Sequence, residues 1–331
     1  MEMTAPLQSA TVSQPATDPV YPPAVLGDPS HLTPAARKAI IALSGARPGR
    51  FFLEIVANWL AVAGLIALGL YADKILVTLL CIVLIGARQM AFGLLMHEQV
   101  HRLGMRSKYA DWIVNALAVF PLGVVTIEGY AKVHLAHHKY FMTEKDPDYK
   151  RKSGAEWTFP MGLLSFAKVV ARDLTGLNTV KLIKGKTAPA DQDEFLRRNP
   201  TPTWFRLAFY TLAAALITLF DGWVVFLVYW VVPMLTTTQL FVRWTAVVEH
   251  QYNAPGATVH SITPLVELTW WQKLLFPDLN FSMHVYHHMH PGVSFSNLPK
   301  VHKIYKEEGL VDERAVFHGQ GAFLRHIVKR S

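Results

Sequence analysis

Nine of the fifteen histidines in this sequence crowd into four places, with the spacing of metal ligands. His97 and His101 lie in HEQVH, and His134, His137 and His138 in HLAHH. His284, His287 and His288 lie in HVYHH, and His250 ends the run RWTAVVEH. On a helix, residues three and four apart project from one face, so each group can aim its imidazoles at a single point. Imidazole suits both zinc and iron. Read alone, HEQVH is the H-E-x-x-H signature of a zinc protease, with two histidines on one ion and Glu98 as general base. That reading leaves seven histidines unused. A catalytic zinc takes three protein ligands and a water, so nine imidazoles suit two metals with open coordination positions. Iron, which can activate oxygen, is the natural candidate. A metal transporter would instead want ligands near the bilayer midplane, whereas these fall at helix ends.

Carboxylates stand beside these groups. Glu98, Asp146, Asp148 and Glu249 are placed where a carboxylate could accept an imidazole Nδ1–H and fix the ring. His290, just past the third group, is expected to support it as a hydrogen-bond donor and not as a ligand.

The elements that must hold these side chains read as membrane helices. The 331 residues are 51% hydrophobic and only 17% charged, against about a quarter charged in soluble proteins. The formal charge of +8 is spread around apolar runs, which suits an anionic membrane surface and not nucleic acid. Four segments are apolar enough to cross a bilayer, which takes about 17–25 residues: roughly 51–70, 75–96, 204–220 and 223–245. YADK and DG separate them into two helical hairpins. The run at 112–126 is short and broken by Pro121, and reads as re-entrant or interfacial. Residues 1–32, rich in Pro, Ser and Thr and without a secretory leader, are expected to be a disordered tail. Residues 33–50 form an interfacial helix, with Thr33 as N-cap, Pro34 in first position and Gly45 as stop. Residues 51–331 make one membrane domain.

All the 32 Lys and Arg except Lys74, Arg88, Arg206 and Arg243 lie in the N-terminal region, in 97–203 or after 250. Positive-inside bias therefore puts both termini and a cap built from 97–203 and 250–331 in the cytosol. Arg88 and Arg243, on the second and fourth spans, are expected to snorkel to the headgroups. The histidines would then stand roughly 10–14 Å further along their helices. The alternative turns these arginines into the bundle, paired with Glu54 or a substrate headgroup, with the metals at the interface. Trp204, Trp223 and Trp244 read as interface anchors. The single cysteine, Cys81, excludes an internal disulfide and reads as a buried, inert thiol.

The three histidine boxes, in this order and with this hydropathy, resemble those of the integral-membrane fatty acid desaturases and their hydroxylase relatives. The likeness runs from about 51 to 310. It extends to MTEKDPDY after the second box, to Asn280 before the third and to GVSFSNLPKVHKIY after it. It implies an all-α integral membrane fold, four transmembrane helices as two hairpins beneath a cytosolic helical cap that holds a non-haem di-iron centre. The eight box histidines are then metal ligands, with His250 as the ninth and Asn280 close by. The implied reaction is O₂-dependent insertion of a double bond into an acyl chain carried by CoA, a carrier protein or a phospholipid. Hydroxylation of an alkyl, carotenoid or sphingoid lipid starts with the same hydrogen abstraction and stays open. The third box begins with His284, not with the Gln of relatives fused to a haem domain. HPGV at 290–293 is similar to a haem-binding HPGG but has no haem domain around it. Electrons are therefore expected from a separate ferredoxin, rubredoxin or cytochrome and its reductase.

Overall fold

The computed structural model describes residues 22–123, 126–179 and 198–329, and it is built almost wholly of helices. In chain order these are α1 (Pro34–Leu43), α2 (Pro48–Ala72), α3 (Ile75–Val100), α4 (Ala110–Val114), α5 (Ile127–Lys139), α6 (Pro147–Lys152), α7 (Leu163–Leu174) and α8 (Thr203–Leu219). They continue as α9 (Trp223–Glu249), α10 (Val259–Ile262), α11 (Trp270–Leu275), α12 (His284–Met289), α13 (Leu298–Glu307) and α14 (Gln320–Ile327). Among the described residues, three single helices, α2, α3 and α9, of 25, 26 and 27 residues, are long and apolar enough to cross a membrane. The expected fourth span, α8, has 17 residues and buries none of them.

The three long helices pack through small and polar residues at their crossings. At Gly86 a side chain would collide with Thr237, so α3 and α9 approach backbone to backbone. Thr237 Oγ1 donates to the Ile82 carbonyl at 3.1 Å. Gln89, costly if it faced lipid, is instead buried. It donates to the Trp230 carbonyl (2.9 Å) and accepts from Thr238 (2.6 Å). Cys81 is buried, as its apolar run suggests.

The Pro121 run does not continue as one straight helix. After α4 the chain makes a π turn (Asn115–Val119) and a 3-10 turn (Phe120–Leu122), and α5 leaves at 89° to that axis. Two stacked indoles hold the bend: Trp59 Nε1 donates to the Leu117 carbonyl (2.8 Å) and Trp230 Nε1 to that of Pro121 (2.7 Å).

Three expectations are corrected. Arg243 does not snorkel: it is buried, and it makes a two-pronged pair with Asp173 on α7 (2.6 and 3.2 Å) under the Trp157 ring. Arg88 reaches the Leu274 carbonyl, and Glu54 pairs with Arg50. The two arginines therefore give no headgroup level. Trp244 is not an interface anchor, because it packs on Phe323 and donates to Gln320 (2.6 Å). The end of the expected tail is ordered: Ala24, Val25 and Leu32 are buried, and Leu26 N–H donates to the Leu310 carbonyl. Those apolar side chains offset the ordering entropy that a Pro/Ser/Thr-rich chain could not. Residues 1–21 of that tail lie outside the described residues.

Two short parallel pairs close the cap, β1 (Met161–Gly162) with β4 (Val328–Lys329) and β2 (Val266–Glu267) with β3 (Phe317–His318). Removing one partner of a buried ion pair leaves an unpaired charge and costs about 3–5 kcal/mol. Asp173→Ala should therefore lower the melting temperature of the detergent-solubilised protein sharply. Asp173→Leu combined with Arg243→Met should cost much less.

Candidate metal centre

All nine histidines meet on one side of the bundle. His97 sits on the last turn of α3 and His101 caps it; His134, His137 and His138 line α5. His250 caps α9, and His284, His287 and His288 lie on α12. The i, i+3, i+4 spacing does what helical geometry demands, and each helix presents its imidazoles to the others.

They form two groups. In one, one ring nitrogen from each of His97, His101, His134, His138 and His287 lies within 4.8 Å of all the others; in the other, one from each of His137, His250 and His288 does. His284 joins the second group, with ring centres 4.8 Å from both His250 and His288. The groups adjoin, since His138 and His288 stack with ring centres 4.0 Å apart.

The nitrogens are arranged as ligands of a shared cation would be. His101 Nε2 is 2.8 Å and His138 Nε2 is 3.0 Å from His134 Nε2, and His250 Nε2 is 3.0 Å from His288 Nε2. Two nitrogens bound at right angles, each about 2.1 Å from one ion, stand about 3.0 Å apart. Among the described residues, both nitrogens of His97, Nδ1 of His284 and Nε2 of His287 are buried without a hydrogen-bond partner, a condition that costs free energy unless something binds them. Burial first, then neighbouring imidazoles, push His284, His287 and His288 well below the ordinary histidine pKa. They are neutral at pH 7, the form a metal requires. The residues fit a pair of metal ions.

Some flanking residues orient these rings and others do not. Asp146 holds His137 Nδ1 at 2.9 and 3.0 Å, and is itself fixed by the backbone N–H groups of Met142 and Asp148. Thr263 holds His250 Nδ1 at 2.8 Å; no motif flags a threonine thirteen positions downstream in a loop. Asp148 pairs with Lys152 and Arg151, and although burial opposes ionisation, those two charges keep its carboxyl well below the usual range. Glu98 accepts from Phe295 N–H, not from an imidazole. Glu249 makes no hydrogen bond to a histidine among the described residues. Asn280 accepts from Lys273 (2.7 Å) and donates to the Phe295 carbonyl, while His290 bonds Tyr305 (3.0 Å). Aromatic rings seal the centre: Phe281 stands edge-on to His97 at 4.6 Å, and Phe141 lies 4.9 Å from His250.

Orienting carboxylates are typically worth 10–100-fold in metal affinity. Asp146→Ala should weaken metal binding by about that factor, measured by chelator competition on the purified protein. Glu98→Gln should change it far less.

The comparison with known proteins agrees with this geometry. The family model described as fatty acid desaturase matches residues 73–319, about three quarters of the chain. No curated protein matches it. The matched span contains all nine converging histidines, and the chain belongs to the fatty acid desaturase family, a family of oxidoreductases.

Proposed function

We propose that the protein is an O₂-dependent acyl desaturase with two non-haem irons. One iron would be held by His97, His101, His134, His138 and His287, the other by His137, His250, His284 and His288. The observation that carries the proposal is the double convergence of imidazoles within a desaturase-family chain. When bound, two irons supply the O₂-activating chemistry that removes hydrogen from an unactivated C–H bond.

The protein's own part is to bring that bond up and keep water away. An apolar cleft runs between α3 and α9, lined by Ala87, Met90, Phe241, Trp244, Phe276 and Phe281. The ring of Phe281 that lines the cleft is the one packed on His97 and His287. An acyl chain lying in the cleft reaches the histidines at Phe281, and the cleft's aromatic walls exclude water from the reacting carbon.

The rest of the reading follows from the chain's layout. α2, α3 and α9 cross the membrane, α8 pairs with α9 as a shorter fourth crossing, and the histidines face the cytosol with both termini. The acyl group arrives on CoA, a carrier protein or a phospholipid. Electrons come from a separate ferredoxin, rubredoxin or cytochrome through its reductase.

The purified protein should hold two irons per chain, and replacing any one of the nine histidines with Ala should abolish turnover. Turnover should require O₂ and an added electron carrier with its reductase; turnover with a nicotinamide cofactor alone would contradict the proposal. Mass spectrometry of the product separates a double bond from an alcohol, the latter being the hydroxylase outcome. Met90→Trp should leave the iron content intact while cutting turnover on long chains by about a hundredfold, the scale of a small misplacement of the reacting carbon.

A further inference from the structure

A second cleft, of about 220 Å³, lies at the end of α3 on the side turned away from the histidines. Gln99, on its wall, is about 200° round the helix from both His97 and His101. Arg106 and Lys108 bring two cations to it, with Ser107 and Asn199 as neutral hydrogen-bonding groups. Among the described residues the one carboxylate on its wall, Asp111, is engaged by Arg198 (2.7 Å) and Gln99 (2.8 Å). Arg106 and Lys108 therefore turn positive charge into a walled space, which is what a phosphate group requires.

The surface beside the cleft says where that phosphate comes from. Tyr109, Ile113, Leu117 and Trp204 are all exposed, and Trp112 packs on Trp204 and Phe205 at the start of the apolar helix α8. Asn199 ties the two regions together by donating to the Lys108 carbonyl at 3.2 Å. Tyrosine and tryptophan gathered at the polar edge of an apolar surface mark the level of the lipid headgroups. Basic pockets between helices at that level take anionic headgroups.

We propose that this cleft binds the headgroup phosphate of an anionic phospholipid, whose acyl chains lie along the exposed Tyr109–Ile113–Leu117 strip. The site is separate from the iron centre and from the acyl cleft, and it stands whether or not the reading of the reaction does. A soluble phosphate shares the headgroup's charge but has no use for the apolar strip.

The test uses the full chain in nanodiscs of phosphatidylcholine containing a minority of phosphatidylglycerol, with native mass spectrometry counting the lipids retained on release. The intact chain should retain phosphatidylglycerol in preference to phosphatidylcholine. Each cation removed should weaken that preference roughly fivefold, so Arg106→Gln with Lys108→Gln should lose it. Lys300→Gln with Lys303→Gln, an equal loss of charge on α13, should keep it. Equal retention by all three chains, or an equal loss in both variants, would overturn the site. Thermal stabilisation by inorganic phosphate in pure phosphatidylcholine, without selective lipid retention, would assign the cleft to a soluble ligand and overturn the lipid proposal. Melting curves in phosphatidylcholine alone, unchanged by the substitutions, show that the variants are folded.

Discussion

The structure is organised around the cost of holding nine imidazoles together largely out of water. A buried nitrogen lone pair without a donor is unfavourable, and His97 has both ring nitrogens in that condition. Such a cluster persists only if the scaffold fixes each ring more firmly than it can turn away. The helix ends do this from below, through backbone positions at the close of α3 and α9. Asp146 and Thr263 do it from behind, by occupying the Nδ1 atoms of His137 and His250. The remaining polar burial in the bundle serves the same rigidity. Gln89 locks α3 to α9, and the Asp173–Arg243 pair locks α9 to α7.

The site was more legible in the sequence than the membrane topology was. HLAHH and HVYHH declare themselves because three histidines on one helical face have few other uses, and the structure brings them together with HEQVH and His250. Asp146 stands close enough in sequence to its histidine to be suspected. Thr263 does not, because its role depends on how a loop returns to α9. Arg243 was misread for the same reason. A lone arginine in an apolar run suggests a headgroup contact, and its partner Asp173 lies seventy positions earlier on a different helix. Trp244 likewise looks like an interface residue until α14 is folded over it. Hydropathy counted α8 as a span, and the helix that forms has 17 residues, at the short end of what a crossing takes.

On the proposed reading, the apolar cleft poses one question, how the buried part of an acyl chain is held in register. Packing along apolar walls is non-directional, so the walls alone would not fix it. Phe281 lines the cleft, and its ring is also part of the wall around His97 and His287. A change at that position would therefore act on the cleft and on the packing of the histidines together.

The order in which the chain is made carries a last consequence. The five-histidine group needs α3, α5 and α12, and α12 lies close to the end of the sequence. During synthesis the early helices enter the bilayer long before His287 exists, so no complete binding site is present on the nascent chain. On the di-iron reading, metal loading would therefore be an event of maturation, after the docking of α12, whose Tyr286 bonds His302. Until then the first two histidine boxes would be open to whichever divalent ion is most freely supplied. Metal identity would then depend on the timing of assembly as well as on the finished site.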